Sequence, residues 1–148
     1  MKPSSDSRSD YFWFTQMSTK FQDNDIYGHL NNNVHSQFID NAVNLFLHQE
    51  GGLNMASDPI IGLIVNSGCD YFKELGWPEH QTIDVGVRVN KIGRSSVQYA
   101  AALFAPNDDE AAAQGHFTHV WIDRTSRATV DIPLGLRAAM ESVLRKAE

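Results

Sequence analysis

Residues Asp23 to Asn33 read Asp-Asn-Asp-Ile-Tyr-Gly-His-Leu-Asn-Asn-Asn, a polar, glycine-broken loop that runs directly into an amphipathic helical pattern. The spacing sets the acid Asp25 beside the free N–H groups of a helix start. The carboxylate could serve as base or nucleophile, and the N–H groups could hold the charge that develops on an attacked carbonyl. Sequence alone leaves the two roles of the acid open. Asp23, Asp25 and Gly28 also fit the first, third and sixth positions of a calcium loop, but the fifth is Tyr27, the twelfth is Val34 in place of a glutamate, and no helix pattern precedes them. His29 and His35 fix no tetrahedral set with the acids, so no metal is expected. His29 reads as a residue that orders the loop, His35 as a pocket-lining or surface position of the helix.

Other nucleophile settings are weaker. Cys69, the only cysteine, has no histidine and acid arranged around it and reads as a packed strand residue, while Ser67 lacks the Gly-x-Ser-x-Gly turn of a serine hydrolase. His116 and His119 lie three apart in a strand pattern and therefore face opposite sides, which argues against a paired ligand site.

The elements that must position the loop follow from periodicity. Tyr11 to Ser18 is aromatic and β-prone, a first strand. From Asn33, Val34, Phe38, Ala42, Leu45 and Phe46 recur at helical spacing, with Ile39, Val43 and Leu47 widening the stripe; Asn32 or Asn33 should cap the helix and Gly51-Gly52 should end it. So broad a stripe suits a helix wrapped by a sheet. Ile60 to Val65 and Cys69 to Phe72 read as a strand interrupted near Asn66-Ser67-Gly68. Ile83, Val85, Val87 and Val89 alternate cleanly, Gly93-Arg94 turns the chain, and Val97, Tyr99, Ala101 and Leu103 complete a hairpin. Phe117 to Asp123 is a further strand closing on Arg124 to Arg127, with a short partner, and a short helix follows Pro133 through Leu136, Met140, Val143 and Leu144. Strand, long helix, then antiparallel strands is an α+β order with open sheet edges, so pairing with a second copy is expected.

A chain of 148 residues, 42% apolar and 20% charged, fits a single domain over 1–148. The Ser/Asp-rich start, residues 1–10, reads as a disordered tail without the apolar core of a signal peptide. One cysteine allows no internal disulfide, and no apolar run approaches the roughly 20 residues of a membrane span, so a cytoplasmic protein with no membrane partner is expected. The net charge of −6 argues against nucleic acid, although Lys91 and Arg94 could hold a small phosphorylated ligand.

Asp25-Ile26-Tyr27-Gly28-His29-Leu30-Asn31-Asn32 before the helix, Asp70-Tyr71-Phe72, and Val89-Asn90-Lys91-Ile92-Gly93-Arg94-Ser95-Ser96 together resemble the 4-hydroxybenzoyl-CoA thioesterase family of hot-dog-fold acyl-CoA thioesterases. The likeness spans Tyr11 to Pro133 in element order. It implies a sheet wrapped around the central helix, homodimers or tetramers, and hydrolysis of an acyl-CoA thioester at the dimer interface without a cofactor. It also implies that Asp25 is the catalytic acid and that Asn32 N–H polarises the carbonyl. Lys91, Arg94 and Ser95 would meet CoA phosphates, and Gly28, His29 and His35 would complete the substrate contacts. His35 stands where many members carry tyrosine, which implies a more polar acyl pocket. The branch with a glutamate on the central helix fits less well, because Val34 to His48 holds Asp40 and no glutamate. An acyl carrier protein as the thioester carrier, or an acyl-CoA-binding module without turnover, are the competing readings.

Overall fold

Asparagine at the entry and glycine at the exit bound the longest element. In a computed structural model that describes residues 4–146, α1 spans Asn32–Gly51. Its cap is Asn31, one residue before the expected position. Asn31 has extended backbone angles, and its side-chain oxygen accepts from Asn33 N–H at 3.1 Å. Gly52, at φ 71°, ends the helix in the left-handed conformation. Val34, Phe38, Ile39, Ala42, Val43, Phe46 and Leu47 are buried along α1, matching the stripe read from sequence.

Five strands, β1 (Trp13–Ser18), β2 (Ile60–Tyr71), β3 (Thr82–Ile92), β4 (Ser96–Phe104) and β5 (Ala113–Asp123), form one antiparallel sheet in the order β1-β3-β4-β5-β2. Val85, Val87, Val89, Tyr99, Leu103, Phe117 and Trp121 share one core with α1. A second helix, α2 (Leu134–Ser142), seals the core with Leu136, Ala139 and Met140. The expected α+β sheet around one long helix is the observed fold. Among the described residues no helix is long and apolar enough to cross a membrane.

Local expectations needed correction where long-range pairing decides. β2 is continuous, and its register slips between Ile64 and Asn66, ahead of the expected break. β5 starts at Ala113 and pairs along its length with β4 and β2, whereas a short partner was expected; only an isolated bridge, Ile122 to Thr129, follows its turn. Pro133 caps α2 from outside, and Val143 and Leu144 lie beyond its last turn. Of the tail expected over residues 1–10, positions 1–3 lie outside the described residues, and residues 4–10 are ordered. Asp6 accepts from Arg88 at 3.1 Å and from the Tyr11 hydroxyl at 2.7 Å, Arg88 lies over the Tyr11 ring, and Arg8 donates to the carbonyls of Ala105 and Asp108. This strap covers the sheet face that turns away from α1.

β2 is an edge strand with no partner on its outer side among the described residues. Leu63, Ile64 and Val65 are exposed there, Val65 by 57%. β3, at the other side of the core, is covered throughout its middle.

His119 and His116 face opposite sides, as read from their spacing. His119 is buried with its Nδ1 3.2 Å from the Tyr99 hydroxyl, and His116 is exposed. Burial pushes the His119 pKa down to about 4, below the unfolded value of about 6.5, so the unfolded chain takes up the proton first and stability falls as pH drops from about 6.5 toward 4. The expected loss across that window is about 3 kcal/mol. Urea unfolding of the parent and His119→Gln at several pH values should show this slope in the parent and a flatter one in the variant.

Candidate active site

The loop between β1 and α1 is folded back on itself by its own main chain. Asp25 N–H donates to His29 O at 2.7 Å, Gly28 N–H to Asp25 O at 3.2 Å, and Gly28 at φ 82° makes the turn that a side chain would disfavour. One oxygen of Asp25, Oδ1, accepts from Tyr27 N–H at 2.8 Å and His29 N–H at 3.2 Å. These bonds orient the half-buried carboxylate and leave Oδ2 without a partner among the described residues.

The helix start is almost fully satisfied. Asn31 N–H donates to Asp23 O, Asn33 N–H to the Asn31 side chain, and Val34 N–H to Asn31 O. Asn32 N–H has no partner among the described residues, which makes it the available donor at the positive end of α1. A carboxylate with one free oxygen and a helix-terminal N–H therefore sit at the two ends of one eight-residue span, Asp25 to Asn32.

A second segment, the connection between β2 and β3, clamps this loop. Asn24 Nδ2 donates to Trp77 O at 2.8 Å while Asn24 Oδ1 accepts from Trp77 N–H at 3.1 Å, and Leu30 N–H donates to Leu75 O at 2.6 Å. At Gly76 a Cβ would lie 2.6 Å from Gly28 O, so only glycine permits the approach. His29 Nε2 lies 3.0 Å from Glu74, and together with Gly28 they border a cavity of about 510 Å³. His35 is buried, with Nδ1–H donating to Asn31 O at 3.2 Å and its ring edge-on to Tyr71 at 4.9 Å; burial pushes its pKa down.

Beyond the helix start a groove of about 350 Å³ runs between α1 and β2, lined by Ser36, Gln37 and Asp40 on one side and Ile64, Cys69 and Tyr71 on the other. Sequence reading assigned none of these residues to a pocket. Cys69 is half-buried there and burial raises its thiol pKa, which keeps it protonated and unreactive. The structure thus gathers Asp25, Gly28, His29, Asn32 and His35 at one end of α1. It does not bring Lys91, Arg94 and Ser95 to them within one chain. They sit at the β3–β4 turn, at the end of β3 opposite the end that pairs with Ser18, and β3 itself is about 33 Å long. Arg94 there pairs with Asp131.

A family model described as the thioesterase-like superfamily matches residues 19–143. The chain belongs to this superfamily. The PA5185 protein of Pseudomonas aeruginosa strain PAO1 is 44% identical, with 97% of this chain and 99% of that one covered and a TM-score of 0.93. Solved structures of lower identity share the fold. Slr0204, a 1,4-dihydroxy-2-naphthoyl-CoA thioesterase from Synechocystis, is 15% identical over 86% of this chain and 93% of its own, with a TM-score of 0.74. BH1999, a gentisyl-coenzyme A thioesterase, is 21% identical over 86% and 99%, with a TM-score of 0.74. No curated protein matches the chain. The superfamily is broader than the 4-hydroxybenzoyl-CoA branch that the motif resembles.

Asn24→Ala should remove both bonds to Trp77 and leave its peptide groups unpaired, at about 1–3 kcal/mol. Hydrogen exchange is expected to speed up at Asp25 to Leu30 and to stay slow in the middle of α1.

Proposed function

We propose that the chain hydrolyses an acyl-CoA thioester as a homodimer, with Asp25 as base or nucleophile and Asn32 N–H as the oxyanion donor. The observation that carries this reading is the unengaged Asn32 N–H at the start of α1, in the same loop-and-helix unit as the free Oδ2 of Asp25. Superfamily membership supports thioester hydrolysis in general, and the two CoA thioesterases of like fold support CoA as the carrier.

In the base route Oδ2 of Asp25 takes a proton from water as its oxygen adds to the thioester carbon. In the nucleophile route Oδ2 itself adds, and water later cleaves the mixed anhydride. Both pass through a tetrahedral oxyanion, which Asn32 N–H and the α1 dipole stabilise, and in both its collapse breaks the C–S bond and the CoA thiolate takes up a proton; the base route ends there, whereas the nucleophile route ends when water hydrolyses the anhydride and frees the acid and Asp25. The bonds from Tyr27 and His29 to Oδ1 hold the carboxylate in place for either step.

The acyl group fits the groove between α1 and β2. That groove is open on the β2 side, and a second copy paired along Leu63, Ile64 and Val65 would close it while covering exposed apolar surface. In such a dimer Lys91, Arg94 and Ser95 serve the CoA phosphates of the partner's site, which accounts for their distance from the Asp25 of their own chain.

Asp25→Asn should lower thiol release from acyl-CoA by about 10²- to 10⁴-fold with an unchanged unfolding midpoint. Full activity in that variant would remove Asp25 from the chemistry. Val65→Lys, which places a charge on the open edge, is expected to turn a dimer into a monomer in sedimentation velocity and to lose thiol release with it.

A further inference from the structure

The outer face of the sheet, which turns away from α1, carries a polar recess that the proposed chemistry does not use. Its floor is Ala100 on β4. The same row of the sheet sets Arg88 of β3 on one side of that alanine and His116 of β5 on the other, about 10 Å apart. Asp6 and Tyr11 of the strap add a further wall, and the recess has a volume of about 230 Å³.

Arg88 is the uncommon member. Its side chain is only 7% exposed, a costly place for a cation, and most of its donors are already spent. Nη1 donates to Asp6 Oδ2 and Asp10 O, Nε donates to Asn90 Oδ1 at 2.8 Å, and the guanidinium lies over the Tyr11 ring. Nη2 has no hydrogen-bond partner among the described residues. It is not sealed either, because Trp121 Nε1 is the only fully buried side-chain nitrogen or oxygen among those residues that lacks a partner. Nη2 therefore meets open space. In the planar guanidinium fork it shares an edge with Nε, which turns it toward Asn90, itself a wall of the recess.

Beside Asn90 stands Gln98, whose Oε1 accepts from Asn90 Nδ2 at 3.4 Å and whose Nε2 has no partner among the described residues. The β3–β4 side thus presents N–H groups of Arg88 and Gln98. The far side presents an acceptor. Gln114 is spent on Asp6 N–H and Ser4 O, and it pairs in register with Asp70 of β2. The exposed Asp70 carboxylate borders the recess and has neither a hydrogen bond nor an ion pair among the described residues. Three strand spacings, about 14 Å across the sheet, separate β3 from β2. The His116 ring, between them, is also unpaired among the described residues and can give or take one bond. The charges that face the recess are therefore Arg88, Asp6 and Asp70. Asp6 already balances Arg88 and keeps Oδ1 unengaged, so a bare anion would meet two carboxylates and a bare amine would leave the Arg88 N–H groups unused.

We propose that the recess binds a small zwitterion whose charges are several bonds apart, an ω-amino acid, with its carboxylate on Arg88 Nη2 and Gln98 Nε2 and its ammonium facing Asp70. The site is independent of thioester chemistry and stands whether or not Asp25 is catalytic.

Calorimetry on the whole protein with 4-aminobutyrate, butyrate and butylamine tests it. 4-Aminobutyrate should bind at least about tenfold more tightly than either singly charged analogue, and the Gln98 side-chain amide and Arg88 Nε–H resonances should shift with it. Asp70→Asn should remove the preference over butyrate. Gln98→Leu should weaken 4-aminobutyrate by about fivefold to tenfold. Both side chains lie outside the core, so the unfolding midpoint should hold in each variant. Glycine, with its charges too close to reach both sides, should bind no better than butyrate. The site is overturned by a parent that shows no saturable binding of 4-aminobutyrate, by equal affinities for 4-aminobutyrate and butyrate, or by a preference that survives in folded Asp70→Asn. Glycine binding as tightly as 4-aminobutyrate would overturn the spacing of the two charges.

Discussion

The close approach of the main chain at Gly76 to the carbonyl of Gly28 is the contact on which the candidate site depends. The Asp25 loop has an exposed tip, with Ile26 92% and Tyr27 77% exposed, and little core of its own. Its shape is imposed by hydrogen bonds, and the bonds that tie it to the rest of the molecule, Asn24 to Trp77 and Leu30 to Leu75, form only because the segment after β2 can lie against it. Reacting groups must hold position to about 0.5 Å, and under the proposed function this hold comes from the backbone contact at Gly76 together with the Asn24 side-chain bonds to Trp77.

A second constraint is the uneven use of the sheet. α1 spends its apolar stripe on β1, β3, β4 and β5, and leaves β2 standing away from it. The gap is the groove, and the same displacement leaves the outer side of β2 exposed. A sheet fully closed on its helix would have neither the groove nor the exposed apolar row along β2. Under the proposed dimer, substrate binding and assembly therefore draw on one feature, the apolar row along β2, with the partner supplying the missing wall.

Much of this was legible locally. The spacing of Val34, Phe38, Ala42 and Phe46 marked α1, the alternation of Ile83 to Val89 marked β3, and the acid-to-asparagine motif marked the unit that holds Asp25 and Asn32. What stayed hidden depends on residues far apart in sequence. The Ser/Asp-rich start looked unstructured because its partners, Arg88, Glu110 and Gln114, lie some eighty residues or more away. Ala113 to His116 carries few β-formers and joins β5 because β2 and β4 flank it, a case of neighbours overriding propensity. Ser36, Gln37 and Asp40 lie outside the apolar stripe of α1, and only the displacement of β2 makes them a groove wall. Asn31 was passed over as a cap because three consecutive asparagines offer the same side chain, and backbone angle alone selects among them.

The most direct measurement is the crystal structure of Asp25→Asn with an intact acyl-CoA bound. The account predicts the thioester carbonyl oxygen about 3 Å from Asn32 N, the residue-25 side chain beside the thioester carbon, and the acyl chain running toward Asp40 between α1 and β2. A thioester seated against Asp40, with Asn32 N–H facing solvent, would contradict it and move the chemistry to the middle of the helix.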